Sequence, residues 1–390
     1  MASAPGLTSR FGRLWARFDG PGRLAGVDLA RGLAVLGMLA AHLLDTEDFV
    51  VRDPSSWLDV VNGRSSILFA VLAGVSISLV TGGTRPVVGP RRARAAARLA
   101  LRGALLWAIG MLLVLTGVPV YVILPAYALL FALSLPFLGM RSRGLFLTAG
   151  ALAVVMPWVQ PVLDAAPIWS GRSGEDIAAM LGWHYPFPVW IAFLLVGMGL
   201  GRLELRLLPE QAMIMLGGGA LMLAGYGLAI VTAPAVAADP YLSAVLTADA
   251  HSAGLWEVIG SGGFAIATIG LCLLLCRTPL RWVAVPLRAV GSMPLTAYVV
   301  QLLVWALVAL ILLGDTSDLW GIRALDLFAP LTLAIVIGCT VWALTVGRGP
   351  LETVIDAVVR LVVGRDAVGR DAVGRDAVGR DAESPGTRGG

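Results

Sequence analysis

Apolar stretches of about twenty residues, each long enough to cross a bilayer as a helix, recur along this chain from residue 27 to residue 346. A 390-residue chain that is 58% apolar and only 14% charged cannot bury that surface in a water-soluble fold. The bilayer is its main solvent. The expected fold class is therefore all-α, a polytopic transmembrane helix bundle, and soluble enzymes, nucleic-acid-binding modules and disulfide scaffolds are excluded.

The apolar pattern predicts about ten spans, at 27–46, 63–82, 99–117, 119–139, 144–163, 186–203, 210–232, 255–276, 289–314 and 325–346. The arginines sort the loops between them. Arg23, Arg85, Arg91, Arg92, Arg94, Arg98, Arg141, Arg143, Arg202, Arg206, Arg277, Arg281, Arg288, Arg348 and Arg360 fall in alternate loops or tails. The opposite loops hold Arg52, Arg172 and Arg323, with Arg64 at a span end. By the positive-inside rule both termini are cytoplasmic, in a multi-pass protein of the cell's inner (plasma) membrane. The outward loops are acidic and short, with Asp45, Glu47, Asp48, Asp53 and Asp59 in the first, Asp164, Glu175 and Asp176 in the third, and Asp239 and Asp249 in the fourth. Trp57, Trp158, Trp169, Trp183, Trp256 and Trp320 lie near outer span ends, where indoles anchor in the headgroup layer.

Four segments follow. Residues 1–24 lack a continuous apolar core, while Phe11, Leu14, Trp15 and Phe18 recur at helical spacing among Arg10, Arg13 and Arg17. That pattern suits a cytoplasmic interfacial helix, with a frayed basic tail as the alternative. Residues 25–348 form the membrane domain, 349–363 a cytoplasmic C-terminal helix, and 364–390 a low-complexity tail repeating Gly-Arg-Asp-Ala-Val from Gly364. Gly217 to Gly219 and Gly260 to Gly263 lie within spans, where small residues serve helix packing rather than phosphate binding.

All 29 basic residues are arginine, which removes lysine-dependent nucleotide binding and Schiff-base chemistry. Cys272, Cys276 and Cys339 lie in apolar stretches and read as buried small side chains. Charges and histidines in or beside the spans carry the functional signal, because burying an ion in hydrocarbon costs at least about 2.5 kcal/mol. In the first span Asp28, Arg31, His42 and Asp45 form a stripe, and Arg31 and His42 share one helical face about 16 Å apart. Arg31, with Asp28, suits a phosphate or carboxylate clamp near the inner side; His42 suits a proton acceptor near the outer side, with Asp45 one turn on to orient it. The plainer reading pairs Asp28 with Arg31 and lets His42 reach the headgroups.

The three histidines, His42, His184 and His251, all fall toward the outer side. No close-spaced ligand pair accompanies them, so no metal site is expected. Arg64 can meet Asp45 or an anionic acceptor, Glu257 can carry a second proton, and Thr296, Tyr298 and Gln301 offer hydrogen bonds in the bundle interior; interhelical clamping is the competing role for each.

The segments Arg23-Leu-Ala-Gly-Val-Asp28-Leu-Ala-Arg31 with His42, Gly63-Arg64-Ser-Ser through Gly74, Trp183-His184-Tyr-Pro186, His251-Ser252 with Glu257, Gly291-Ser-Met-Pro-Leu-Thr296-Ala-Tyr298 and Gly349-Pro-Leu-Glu352 occur in this order. Together they resemble the heparan-α-glucosaminide N-acetyltransferase-like family of bacterial membrane proteins, over residues 23 to 360. The resemblance implies an acyl group carried from cytoplasmic acetyl-CoA or another acyl-CoA to a hydroxyl or amine of an extracytoplasmic glycan or glycolipid. The Arg31 to His42 spacing also looks like that of integral-membrane O-antigen acetylases, in which both positions are functional. Residues 46–62 contain no histidine, whereas the animal enzyme of the family carries its key histidine in the corresponding loop.

The expectation is a membrane acyltransferase with His42 as general base beside Asp45, Arg31 and Asp28 as donor clamp, and Arg64, His184, His251, Glu257, Tyr298 and Gln301 around the acceptor. Its partners are the lipid bilayer and the glycan acceptor; nucleic acid is not among them, and a homodimer is allowed. The rival is a transporter or permease in which the same stripe is a path without covalent chemistry, though no paired broken-helix repeat is evident.

Overall fold

The computed structural model describes residues 5–45 and 53–364. Glu47, Asp48 and Arg52 of the loop expected to be the first outward one, and the repeat tail beyond Gly364, lie outside the described residues, as does the side chain of Phe11. Among the described residues every regular element is helical. The chain begins with α1 (Pro5–Asp19), α2 (Ala25–Leu43), α3 (Arg64–Val80) and α4 (Gly89–Val114). It continues through α5 (Leu124–Ser134), α6 (Ser142–Asp164), α7 (Gly171–Leu181) and α8 (Phe187–Leu200). Then come α9 (Leu208–Val236), α10 (Pro240–Val245), α11 (Leu255–Leu275), α12 (Leu280–Val283) and α13 (Val285–Ser292). The last are α14 (Pro294–Leu312), α15 (Leu319–Ala324), α16 (Phe328–Thr345) and α17 (Pro350–Val363).

Eight of these, α2, α3 with the turn before it, α4, α6, α9, α11, α14 and α16, are long and apolar enough to cross a membrane. α5 with its tight continuation to Gly139, and α8, are apolar but shorter. The protein is thus an all-α membrane protein. Two expected spans depart from a continuous helix. The stretch 289–314 breaks at Met293, whose φ of −138° and ψ of 57° are not helical, because the ring of Pro294 disfavours a helical residue before it. In 119–139 the helix begins only at Leu124 and tightens into a 3₁₀ turn from Leu135, next to Pro136.

Close helix packing depends on glycine at two seams. Along α9 and α11, a Cβ at Gly218 would overlap Ala267, and one at Gly263 would overlap Met222, so only hydrogen lets these backbones approach. Between α2 and α13, a Cβ on Gly32 would meet the Leu287 carbonyl and one on Gly291 would meet that of Asp28. Of the eight, α2 and α3 are the most enclosed, while α4, α6, α9 and α16 turn most of their surface outward.

Arginines lock one end of the bundle. The buried Arg202 donates to the carbonyls of Ser78, Thr81, Gly83 and Leu138, satisfying helix-end acceptors that a bilayer would leave unpaired. α1 is helical, and its end packs on the bundle: Trp15 stacks on Trp282 at 5.9 Å, and Asp19 pairs with Arg281 at 2.5 Å and with the fully buried Arg288. α17 docks at the same end. Its Glu352 accepts the Leu295 and Thr296 N–H groups at 2.9 and 3.1 Å, capping α14. Burial would raise the Asp356 carboxyl, but Arg348, Arg102 and Arg360 hold it below the ordinary carboxylate range.

Candidate functional site

α2 carries Arg31 near one end and His42 in its last turn, on the same face and about 16 Å apart along the axis. Between them the buried Val35 and Met38 complete the stripe. The two ends differ in chemistry.

At the arginine end, Asp28 accepts from Arg31 at 2.9 Å and from Arg23 at 2.9 Å. The other amino group of Arg31 donates to Ser76 Oγ at 2.9 Å. The i, i+3 ion pair is therefore present, as the plainer sequence reading had it. Arg31 nonetheless borders a cavity of about 460 Å³, lined also by Arg23, Asp28, Gly82, Glu204 and Arg206. An adjoining cavity of about 350 Å³ shares Arg23 and Arg206 and adds Arg277 and Arg281. Arg23, Arg31, Arg206, Arg277 and Arg281 against Asp19, Asp28 and Glu204 give these cavities a net positive lining, which suits an anion.

At the histidine end, the ring of His42 lies 6.3 Å from Trp305 of α14, edge to face. His184 stacks on Tyr121 at 3.5 Å and stands 5.0 Å from His251, with Tyr185 5.9 Å from the same imidazole. His42 lies close enough to His251 and His184 for their charges to act on one another. The structure thus pairs His184 with His251 and sets His42 beside Trp305 at the same end, within electrostatic range of both. Burial, then the neighbouring His251 and His42, push His184 down to about 4, and burial likewise lowers His251. Both are neutral imidazoles at neutral pH, able to accept a proton or a hydrogen bond. Among the described residues, no group of three His, Cys, Asp or Glu has the spacing to hold a metal ion.

The remaining candidates divide. Glu257, buried at the start of α11, accepts from the His251 and Ala253 N–H groups, each at 2.7 Å, and from the Ser252 hydroxyl at 3.1 Å. Tyr298 and Gln301 lie on the buried face of α14 that also carries Trp305, and the Tyr298 hydroxyl accepts from the Ile123 N–H at 3.2 Å. Arg64 does not meet Asp45. It donates to the Tyr226 hydroxyl at 2.7 Å and to the Asp59 carbonyl at 3.0 Å. Nor does Asp45 stand one helical turn beyond His42, since α2 ends at Leu43 and Leu44 is extended. The Asp45 carboxylate meets Arg323 at 3.5 Å, and Arg323 in turn donates to the His42 carbonyl at 3.1 Å.

Trp305, Tyr121, Ser76 and Arg323 are site residues that sequence reasoning missed. A signal existed for two of them. Trp305 is a tryptophan in the middle of a span rather than at its end, and Arg323 is one of the few arginines in the loops expected to face outward. Ser76 and Tyr121 carry no such mark.

Residues 23–240 match the family model described as heparan-alpha-glucosaminide N-acetyltransferase, catalytic, which takes in Arg31, His42, Arg64 and His184. Residues 209–361, with His251, Glu257 and the α14 face, match a model described as protein of unknown function (DUF418). No curated protein matches the chain. Because the first match covers more than half of the 390 residues, the chain belongs to the heparan-α-glucosaminide N-acetyltransferase-like family of membrane proteins.

Proposed function

We propose that this protein transfers an acetyl group from cytoplasmic acetyl-CoA to a hydroxyl or amine of an extracytoplasmic glycan or glycolipid. The observation that carries this reading is the placement of Arg31 and His42 on one face of α2, the first beside an arginine-lined cavity and the second against Trp305 at the end that also holds the His184–His251 pair. The excess of arginine in alternate loops supports ten crossings with the arginine end and both termini in the cytoplasm, and an inner (plasma) membrane setting.

Acetyl-CoA supplies an electrophilic thioester, so the protein must align the reactants, take a proton and stabilise a developing oxyanion. Arg31 and Arg23 hold phosphate oxygens at the arginine end, with Asp28 fixing both guanidiniums. The pantetheine arm runs along the α2 face and spans the roughly 16 Å to His42. There His42 accepts the proton of the attacking hydroxyl or amine, the new acyl–oxygen or acyl–nitrogen bond forms, the carbon–sulfur bond breaks, and the proton passes to the departing thiolate. His184 and His251 stand on the acceptor's side, with Arg64 and Tyr298 as further acceptor contacts.

Acetyl-CoA binding and acetyl transfer by the purified full chain test this together. His42→Ala should keep acetyl-CoA binding and lose transfer, whereas Arg31→Ala should weaken binding. Unchanged transfer in His42→Ala would refute the base assignment. Substrate flux that does not depend on CoA would favour a transporter instead.

A further inference from the structure

Several polar atoms in the bundle interior have no hydrogen-bond partner within the protein: both amide atoms of Gln301, Trp305 Nε1 and the Tyr127 hydroxyl. These are not surface groups that water satisfies. Gln301 is 0%, Trp305 1% and Tyr127 2% exposed. A carboxamide left unpaired in an apolar interior is costly, and membrane helices normally resolve such groups by interhelical bonds.

Their position is specific. Gln301 and Trp305 share one face of α14, a turn apart, and Trp305 reaches His42. Gly291, just ahead of α14, meets α2 at Gly32, and Trp305 meets it at His42. Gln301 therefore falls on the stretch that separates Arg31 from His42. Tyr298, a turn earlier, already uses its hydroxyl on Ile123, so on this face of α14 the unspent capacity belongs to Gln301 and Trp305.

A primary carboxamide presents a donor and an acceptor side by side, which complements a secondary amide in a reciprocal pair. An indole N–H is a donor only and suits a carbonyl oxygen. Secondary amides occur in the pantetheine arm of CoA and in the acetamido groups of glycans, but only the arm must pass between Arg31 and His42. Building on the donor reading above, we infer that Gln301 pairs with a secondary amide of the acyl-pantetheine arm, and that Trp305 Nε1–H donates to the thioester carbonyl oxygen beside His42. As the acceptor attacks, that oxygen gains negative charge, and the Trp305 bond strengthens.

Binding of acetyl-CoA and of adenosine 3′,5′-bisphosphate, which lacks the arm, to the purified full chain tests this. Gln301→Leu keeps the bulk and removes the amide; it should weaken acetyl-CoA about tenfold and leave the bisphosphate unchanged. Trp305→Phe keeps an aromatic ring and removes the N–H; it should lower kcat about tenfold or more with little change in acetyl-CoA affinity. Equal weakening of both ligands in Gln301→Leu would mean that Gln301 only packs the bundle, and would overturn the inference. Unchanged acetyl-CoA binding with a raised acceptor KM would place the amide on the glycan and overturn it as well. An unchanged kcat in Trp305→Phe would overturn the assignment of the indole. Wild-type protein that binds neither ligand would remove the donor reading itself, whereas wild-type binding of both with no effect of Gln301→Leu would remove this inference alone.

Discussion

The Glu257 carboxylate accepts the backbone N–H of His251 at 2.7 Å while that histidine sits at a φ of 64°, in the left-handed region. Ala253, at a φ of 55°, donates to the other carboxylate oxygen at 2.7 Å. Left-handed backbone at two non-glycine residues this close together is held by its surroundings, and Glu257 supplies that hold.

Glu257→Gln replaces one acceptor oxygen by an NH₂ donor that faces a backbone N–H. The variant should lose about 1–3 kcal/mol of stability. Because Glu257 positions His251 at the histidine end, kcat for acetyl transfer should fall while acetyl-CoA affinity holds. Thermal unfolding and separate kcat and binding measurements check both parts, and an affinity loss equal to the kcat loss would contradict the positioning role.

Stability should fall as the pH drops below neutrality, through His184. Its imidazole is held at about 4 in the fold by burial and the nearby His251 and His42, against an ordinary value of 6.5. Between these values the unfolded chain binds the proton and the folded one does not, so stability is lost as pH falls from about 6.5 to about 4. His251, lowered by burial, acts with the same sign. The Tm of the wild type should therefore decline from pH 7 to pH 5, and His184→Gln should decline less steeply. Equal slopes would show that His184 is not the group responsible.

The reach of the sequence differs between the bundle and the site. Runs of apolar residues suffice to mark an all-α membrane protein, and the break at Met293 is written in Pro294. Loop parity puts His184 and His251 before spans expected to start on the same side, but their 5.0 Å ring contact comes from packing. The fate of Asp45 was not legible. α2 stops at Leu43 without a glycine or proline to mark its end, so the helical turn that would have placed Asp45 over His42 does not form. The Arg323 bond to the His42 carbonyl depends on how α15 folds back, which no local pattern encodes. Gln301 was visible as a polar residue in a span, but its unpaired amide emerges only from the packing around it.

The glycine seams give a paired test of the bundle. A methyl group on Gly218 would overlap the backbone of Ala267, whereas one on Gly217 meets nothing within 4 Å. Gly218→Ala should push α9 off α11 and cost about 1–3 kcal/mol or more. Gly217→Ala should be neutral or stabilising by up to about 1 kcal/mol through helix propensity. Thermal stability of both variants in the same detergent decides it, and equal effects would mean that α9 and α11 do not pack along this face.

Asp28 stands between two guanidiniums, and that arrangement predicts unequal consequences for removing its partners. Arg31→Ala leaves the carboxylate bonded to Arg23, so the fold should persist while acetyl-CoA affinity falls about tenfold or more through a lost charge-assisted contact. Asp28→Ala leaves Arg31 and Arg23, with side chains 18% and 32% exposed, without their shared carboxylate, and should cost about 1–3 kcal/mol of stability. Arg31→Lys should not restore affinity. A single ammonium on a flexible stem cannot hold Asp28 and Ser76 as a planar fork does while still facing the cavity. Full acetyl-CoA binding in Arg31→Lys would show that only a positive charge is needed there, and that the geometry of the guanidinium plays no part.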